Sequence, residues 1–186
     1  MAKKKLSTND RPVVFFADAH LREGWQGEDA KYALAQIVAW GLEHRAQAIV
    51  DAGDLSDTLR LRADPIHFLF RLLDRLAAEE IPFYYILGNH NLDKPSWPGA
   101  HPWAQPLHER VLVAGSERIY GLDHQPADDL PAALDRLAAT DATLMITETS
   151  PFTDANGSGF VEAGERSRDA NRVALRITGT TGVVSS

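Results

Sequence analysis

Three times in its first half the chain runs a short apolar stretch directly into a polar turn of carboxylates, imidazoles or amides. Val13-Val14-Phe15-Phe16-Ala17 empties into Asp18-Ala19-His20, and Ala48-Ile49-Val50 into Asp51-Ala52-Gly53-Asp54-Leu55-Ser56-Asp57. Tyr84-Tyr85-Ile86-Leu87 empties into Gly88-Asn89-His90-Asn91. Runs this short, branched and aromatic suit strands buried on both faces. Between the first two, Ala30, Ala33, Leu34, Ile37, Val38 and Leu42 recur at helical spacing, with Gly41 near the end. Between the second and third, Asp64-Pro65 reads as the capped start of a helix whose buried face is Ile66, Leu69, Phe70, Leu73 and Leu76. Strand, helix, strand, helix, strand with right-handed crossovers gives a parallel sheet, and the residues following its strands gather along one edge. The three polar turns are therefore expected to meet in space.

A chain of 186 residues with an ordinary apolar fraction is long enough for one packed core. The expected division is a flexible start at 1–11, one domain at 12–150, and a weakly specified tail at 151–186. A formal charge of −7 argues against a surface coated in positive charge, so any nucleic-acid contact must come from a local patch. With no cysteine there is neither a disulfide nor a thiolate metal site; this fits a cytoplasmic protein and limits metal ligands to His, Asp, Glu and Asn. Lys3, Lys4 and Lys5 precede a polar run, which does not read as a signal peptide, and no window approaches the length of a membrane span.

Beyond the third turn, Pro95, Trp97, Pro98, Pro102, Trp103 and Pro106 spell out an irregular loop, either a cleft wall or a segment pinned to the body by its tryptophans. Val111-Leu112-Val113 and Arg118 to Leu122 read as strands, and Leu130 to Ala138 as a helix introduced by Asp128, Asp129 and Pro131. Thr143 to Thr147 is the next strand, delivering Glu148 to a loop. In the tail only Arg172 to Thr178 alternates like a strand.

The order Asp18-x-His20, Gly53-Asp54-x-x-Asp57, Gly88-Asn89-His90, each after an apolar strand, resembles the first three motifs of the calcineurin-like metallophosphoesterases over roughly residues 12 to 148. The resemblance implies an α/β/β/α layered sandwich with a largely parallel sheet. It also implies two divalent ions: Asp18 and His20 on the first, Asp54 bridging both, Asn89 on the second, and His90 at the scissile phosphate as acid or electrostatic stabiliser. Two neighbouring cations need a shared anionic ligand, and together they activate water and stabilise charge on a phosphate in transfer. Carboxylate, imidazole and amide ligands suit manganese. Asp57, Asn91 and Asp93 are expected behind the ligands, orienting them.

Asp18-Ala19-His20-Leu21, Ala52 to Asp57, Phe68 to Asn91 and Ile119 to His124 are most similar to the SbcD-type DNA repair nucleases. That branch implies a phosphodiesterase acting on DNA, with an ABC-type ATPase partner. Arg22, Arg60, Arg62 and Lys94 lie in or after the motif loops and could hold a DNA backbone, or be solvated loop charges.

The sequence departs from the family pattern late. Where a histidine follows the Thr143 to Thr147 strand in the family, this chain has Glu148, an acceptable hard ligand, and no histidine follows His124. The family's Gly-His-x-His pair has no counterpart, so the C-terminal part is expected to be truncated or divergent. His44, His67, His101, His108 and His124 read as surface or packing residues, with His124 best placed to approach the site. The departures leave two alternatives to a nuclease: a catalytically impaired binding module of the same fold, or a phosphomonoesterase or nucleotide phosphodiesterase with the same centre.

Overall fold

The computed structural model describes residues 11–56, 63–89, 98–126 and 128–147, with the backbone of 173–177 and 183–184. In chain order the elements are β1 (Val13–Phe16), α1 (Trp25–Glu43), β2 (Ala48–Asp51), α2 (Ala63–Ala78) and β3 (Phe83–Tyr85). They continue with β4 (Ala104–Pro106), β5 (Arg110–Ala114), β6 (Glu117–Leu122), α3 (Leu130–Ala138), β7 (Leu144–Thr147), β8 (Val173–Ile177) and β9 (Val183–Val184).

The strands form two sheets, a four-stranded one in the order β1-β2-β3-β4 and a five-stranded one in the order β5-β6-β7-β8-β9. The first is parallel throughout, as two strand-helix-strand crossovers require. The second is antiparallel except where β6 meets β7. Only the first sheet carries the three motif strands, so the largely parallel character read from the sequence belongs to the half of the fold that builds the site.

Strand alternation sorts the core into three layers. Val14 and Phe16 of β1, Ile49 of β2, and Phe83 and Tyr85 of β3 pack with Leu34 and Val38 of α1 and Leu69, Leu73 and Leu76 of α2. Their neighbours Val13, Ala48, Val50 and Tyr84 face the second sheet, meeting Leu112, Ala114, Ile119 and Ile146. Tyr120, Leu122 and Met145 cover the far side, against Ala133 and Leu137 of α3. The result is the α/β/β/α sandwich expected. Register fixes the rim: Phe16 lies opposite Asp51, and Asp51 opposite Tyr85, so the three motif strands end level with one another.

Several boundaries differ from the sequence reading. Helix α1 begins at Trp25 rather than near Ala30; its N-cap Gly24 offers no side-chain cap, and the exposed Trp25 in its first turn falls outside the apolar period. Asp64 lies inside the first turn of α2, where its carboxylate meets Lys31 of α1 at 2.5 Å. The Pro- and Trp-rich loop yields β4, and Trp103 pins it to the body by donating its indole N–H to the Ile81 carbonyl at 2.6 Å. Trp97 lies outside the described residues. Among the described residues no helix is long and apolar enough to cross a membrane.

Candidate metal centre

The pairing of β1 with β2 does not stop where the strands do. Ala52 N–H donates to the Phe16 carbonyl, Asp18 N–H to Gly53, His20 N–H to Asp54 and Leu21 N–H to Leu55, at 2.7 to 3.0 Å. The first and second motif loops are thus laced together by their backbones, with Leu21 and Ser56 in a final parallel bridge.

Along this seam the backbone is strained. Asp18 (φ 51°), His20 (φ 47°) and Asp54 (φ 53°) all occupy the left-handed region, beside Gly53 at φ 115°. A left-handed residue other than glycine costs roughly 1–2 kcal/mol, and Asp and His are among the side chains that tolerate it best. Three such residues in one seam, each with a side-chain atom able to ligate a metal, fit the pattern of strain held at a functional site. The ligand atoms of Asp18, His20 and Asp54 all lie within 4.8 Å of one another. His20 Nε2 is 4.0 Å from Asp18 Oδ1. Asp54 is buried at 1% exposure, while Asp18 and His20 are partly open, so the cluster has a floor and an accessible face. Two carboxylates and an imidazole at this spacing are a hard-donor set suited to a divalent cation and unfavourable without one. A cavity of about 390 Å³ opens beside Asp18 and His20, walled by Phe16, Arg22 and, from α1, Asp29, Ala33 and Ile37.

The third motif enters from β3. Ile86 N–H donates to the Asp51 carbonyl at 3.1 Å, continuing the β2–β3 pairing. Leu87 is held on both sides by the loop after β6: its N–H donates to Asp123 Oδ1 at 2.8 Å, and its carbonyl accepts from His124 N–H at 2.7 Å. His108 Nδ1 in turn accepts from Asp123 N–H at 3.1 Å. Gly88 and Asn89 therefore leave the sheet at the same rim as the first two motifs, with Asn89 exposed. His90, Asn91 and Asp93 of that motif, Asp57, Arg60 and Arg62 after the second, Lys94, and Glu148 lie outside the described residues.

Two carboxylates had no role in the sequence reading. Asp123 clamps the exit of β3, and its signal was the same as that of the motifs, an acid directly after an apolar strand. Asp51 is fully buried at the end of β2, and its Oδ1 accepts from Gly53 N–H at 3.3 Å. Burial raises its carboxyl well above the ordinary carboxylate range; the Gly53 hydrogen bond opposes that and the charge of Asp54 adds to it. Among the histidines read as surface or packing residues, His44 and His67 are exposed and His101 is buried. His44 Nδ1 lies 2.9 Å from the Trp40 carbonyl and its ring stacks on Trp40, and the buried His101 meets Asp74 at 3.2 Å and Phe70.

Comparison with known proteins identifies relatives of the chain. The chain is 29% identical over 184 residues to the DNA double-strand break repair protein Mre11 of Haloferax volcanii, covering 88% of this chain and 40% of that protein. It is 27% identical over 128 residues to Mre11 of Methanosarcina acetivorans, covering 64% of this chain and 21% of the relative. It thus spans between a fifth and two fifths of the length of these curated relatives. Among solved structures, Pseudomonas putida nuclease MPE superposes with a TM-score of 0.46 at 20% identity, over 62% of this chain and 55% of the other. A dimetal phosphatase from Danio rerio gives 0.41 at 18%, over 60% and 43%. The profile of the calcineurin-like phosphoesterases matches residues 11–146, the span that contains the three motif strands and the acid-imidazole cluster, and the chain belongs to that family.

Proposed function

We propose that the chain is a metal-dependent phosphodiesterase acting on DNA. One observation carries the reading: the ligand atoms of Asp18, His20 and Asp54 converge within 4.8 Å at the rim of a parallel sheet, on a seam of left-handed residues. In this reading Asp18 and His20 hold a first divalent ion, Asp54 is shared, and Asn89 with Glu148 serves a second, with manganese matched to the oxygen and nitrogen donors. When bound, such ions supply an activated water and countercharge for a phosphate in transfer. His90, following Gly88-Asn89, gives or shares a proton at the leaving oxygen, and Arg22 and Arg60 hold phosphate oxygens of the substrate strand. The names of the Mre11 relatives favour DNA as substrate. An ABC-type ATPase partner and a cytoplasmic location belong to the same proposal.

The test is hydrolysis of bis-p-nitrophenyl phosphate and of linear DNA by metal-stripped protein with and without added manganese. The expected result is manganese-dependent cleavage lost in Asp54→Ala and His90→Ala; cleavage no faster than in those variants sinks the proposal. Glu148, standing directly after the Thr143 to Thr147 strand where the family resemblance calls for a histidine, favours a second reading, a scaffold that binds one ion or none and serves as a binding module. Uptake of two manganese ions per chain excludes it.

A further inference from the structure

We propose that Asp51 is a positioning residue for the metal pocket: its buried carboxyl anchors the Gly53 N–H and so sets the turn that carries Asp54. The inference rests on the metal-binding reading above and deepens it.

The side chain sits where the fold has no use for a carboxyl. Asp51 ends β2 level with Phe16 on one side and Tyr85 on the other, and strand alternation places it on the helix-facing side with Ile49. It is 0% exposed, and its Oδ2 has no hydrogen-bond partner among the described residues. A buried polar atom left unpaired is a cost that packing alone would remove by substitution with an apolar residue. What the carboxyl does provide is the Oδ1 acceptor for Gly53 N–H, two residues on.

That one hydrogen bond sits at the root of the cluster. Gly53 and Asp54 are consecutive left-handed residues, a conformation the backbone does not hold without outside support. The Gly53 carbonyl accepts from Asp18 N–H and the Asp54 carbonyl from His20 N–H. Asp18 and His20 are therefore registered on the two peptide units that follow the Gly53 N–H held by Asp51, and Asp54 lies between them. A turn that relaxes at Gly53 shifts Asp54 directly, and Asp18 and His20 through their backbone bonds. Burial favours the neutral acid, which makes asparagine, with the same acceptor oxygen and no charge, its natural substitute.

The experiment is calorimetric titration of manganese into metal-stripped wild type, Asp51→Asn and Asp51→Leu, with circular dichroism to verify the fold of each. Asp51→Asn is expected to bind within about threefold of wild type, and Asp51→Leu at least tenfold more weakly while folded. Wild-type affinity in Asp51→Leu, or equal losses in both variants, would overturn the proposal. Should the leucine variant fail to fold, hydrogen exchange of the Gly53 amide in wild type decides: slow exchange supports the anchor, and exchange at the rate of an open loop refutes it. No manganese uptake by wild type removes the metal reading itself, and the Asp51 role with it; uptake that is insensitive to Asp51 removes only the role.

Discussion

Replacing Asp54 by asparagine removes one charge from the cluster without changing its shape, and the size of the effect follows from the spacing. Two carboxylates with ligand atoms within 4.8 Å of one another repel by about 1 kcal/mol at the dielectric of water and about 3 kcal/mol at an effective constant near 20. Asp54, at 1% exposure, lies toward the second limit. In EDTA, Asp54→Asn is therefore expected to be more stable than wild type by about 1–3 kcal/mol, which for a chain of this length raises the melting temperature by roughly 2–10 °C. Manganese acts in the opposite sense. An ion that binds the folded state alone adds about 2.7 kcal/mol at a hundred times its dissociation constant, so wild type should gain several degrees and the variant little. Differential scanning fluorimetry of both proteins in EDTA and in manganese reads all four values. Equal manganese shifts in the two proteins, together with a variant no more stable than wild type in EDTA, would refute the argument that this cluster is a charged site assembled for a cation.

Three further outcomes are expected. Gly121→Ala places a Cβ 2.6 Å from both the Leu107 carbonyl oxygen and its side chain, a backbone wall that cannot yield, so the variant should lose about 3 kcal/mol by urea denaturation; a loss under about 1 kcal/mol contradicts the packing described. Trp103→Phe forfeits the indole bond to Ile81 and should cost about 1–2 kcal/mol in the same assay, with no change in manganese affinity. The raised Asp51 carboxyl binds its proton more tightly folded than unfolded, so its stabilising contribution is complete below about pH 4 and is lost as pH rises toward its folded value. In EDTA, the stability of Asp51→Asn relative to wild type should accordingly grow as pH rises above about 4; a difference that does not vary with pH contradicts the burial of an ionisable group there.

Much of the site could be read from the chain because three strand ends in a parallel sheet must share a rim. Val13 to Phe16, Ala48 to Val50 and Tyr84-Tyr85 needed only their composition and the helices between them to place Asp18, His20 and Asp54 together. The left-handed seam was not legible, since Asp18, His20 and Asp54 are not glycines and the strain is imposed by cross-loop hydrogen bonds. Asp51 and Asp123 were hidden among motif acids, because sequence does not distinguish a carboxylate that binds from one that holds a neighbouring backbone N–H. Strand β4 was masked by its prolines; Pro106 is tolerated because β4 lies at the sheet edge. The start of α1 was missed because Gly24 supplies no side-chain cap and the first turn carries the exposed Trp25. The antiparallel hairpin of β5 and β6 was legible as two strands but not as the seat of Asp123, whose contact with Leu87 joins the two sheets' loops across 36 residues.

The most direct measurement is anomalous diffraction from crystals soaked in manganese chloride. The account predicts a peak about 2.0–2.6 Å from a carboxylate oxygen of Asp18, a ring nitrogen of His20 and a carboxylate oxygen of Asp54 at once. Manganese bound elsewhere, or no peak while those three side chains point apart, would contradict it.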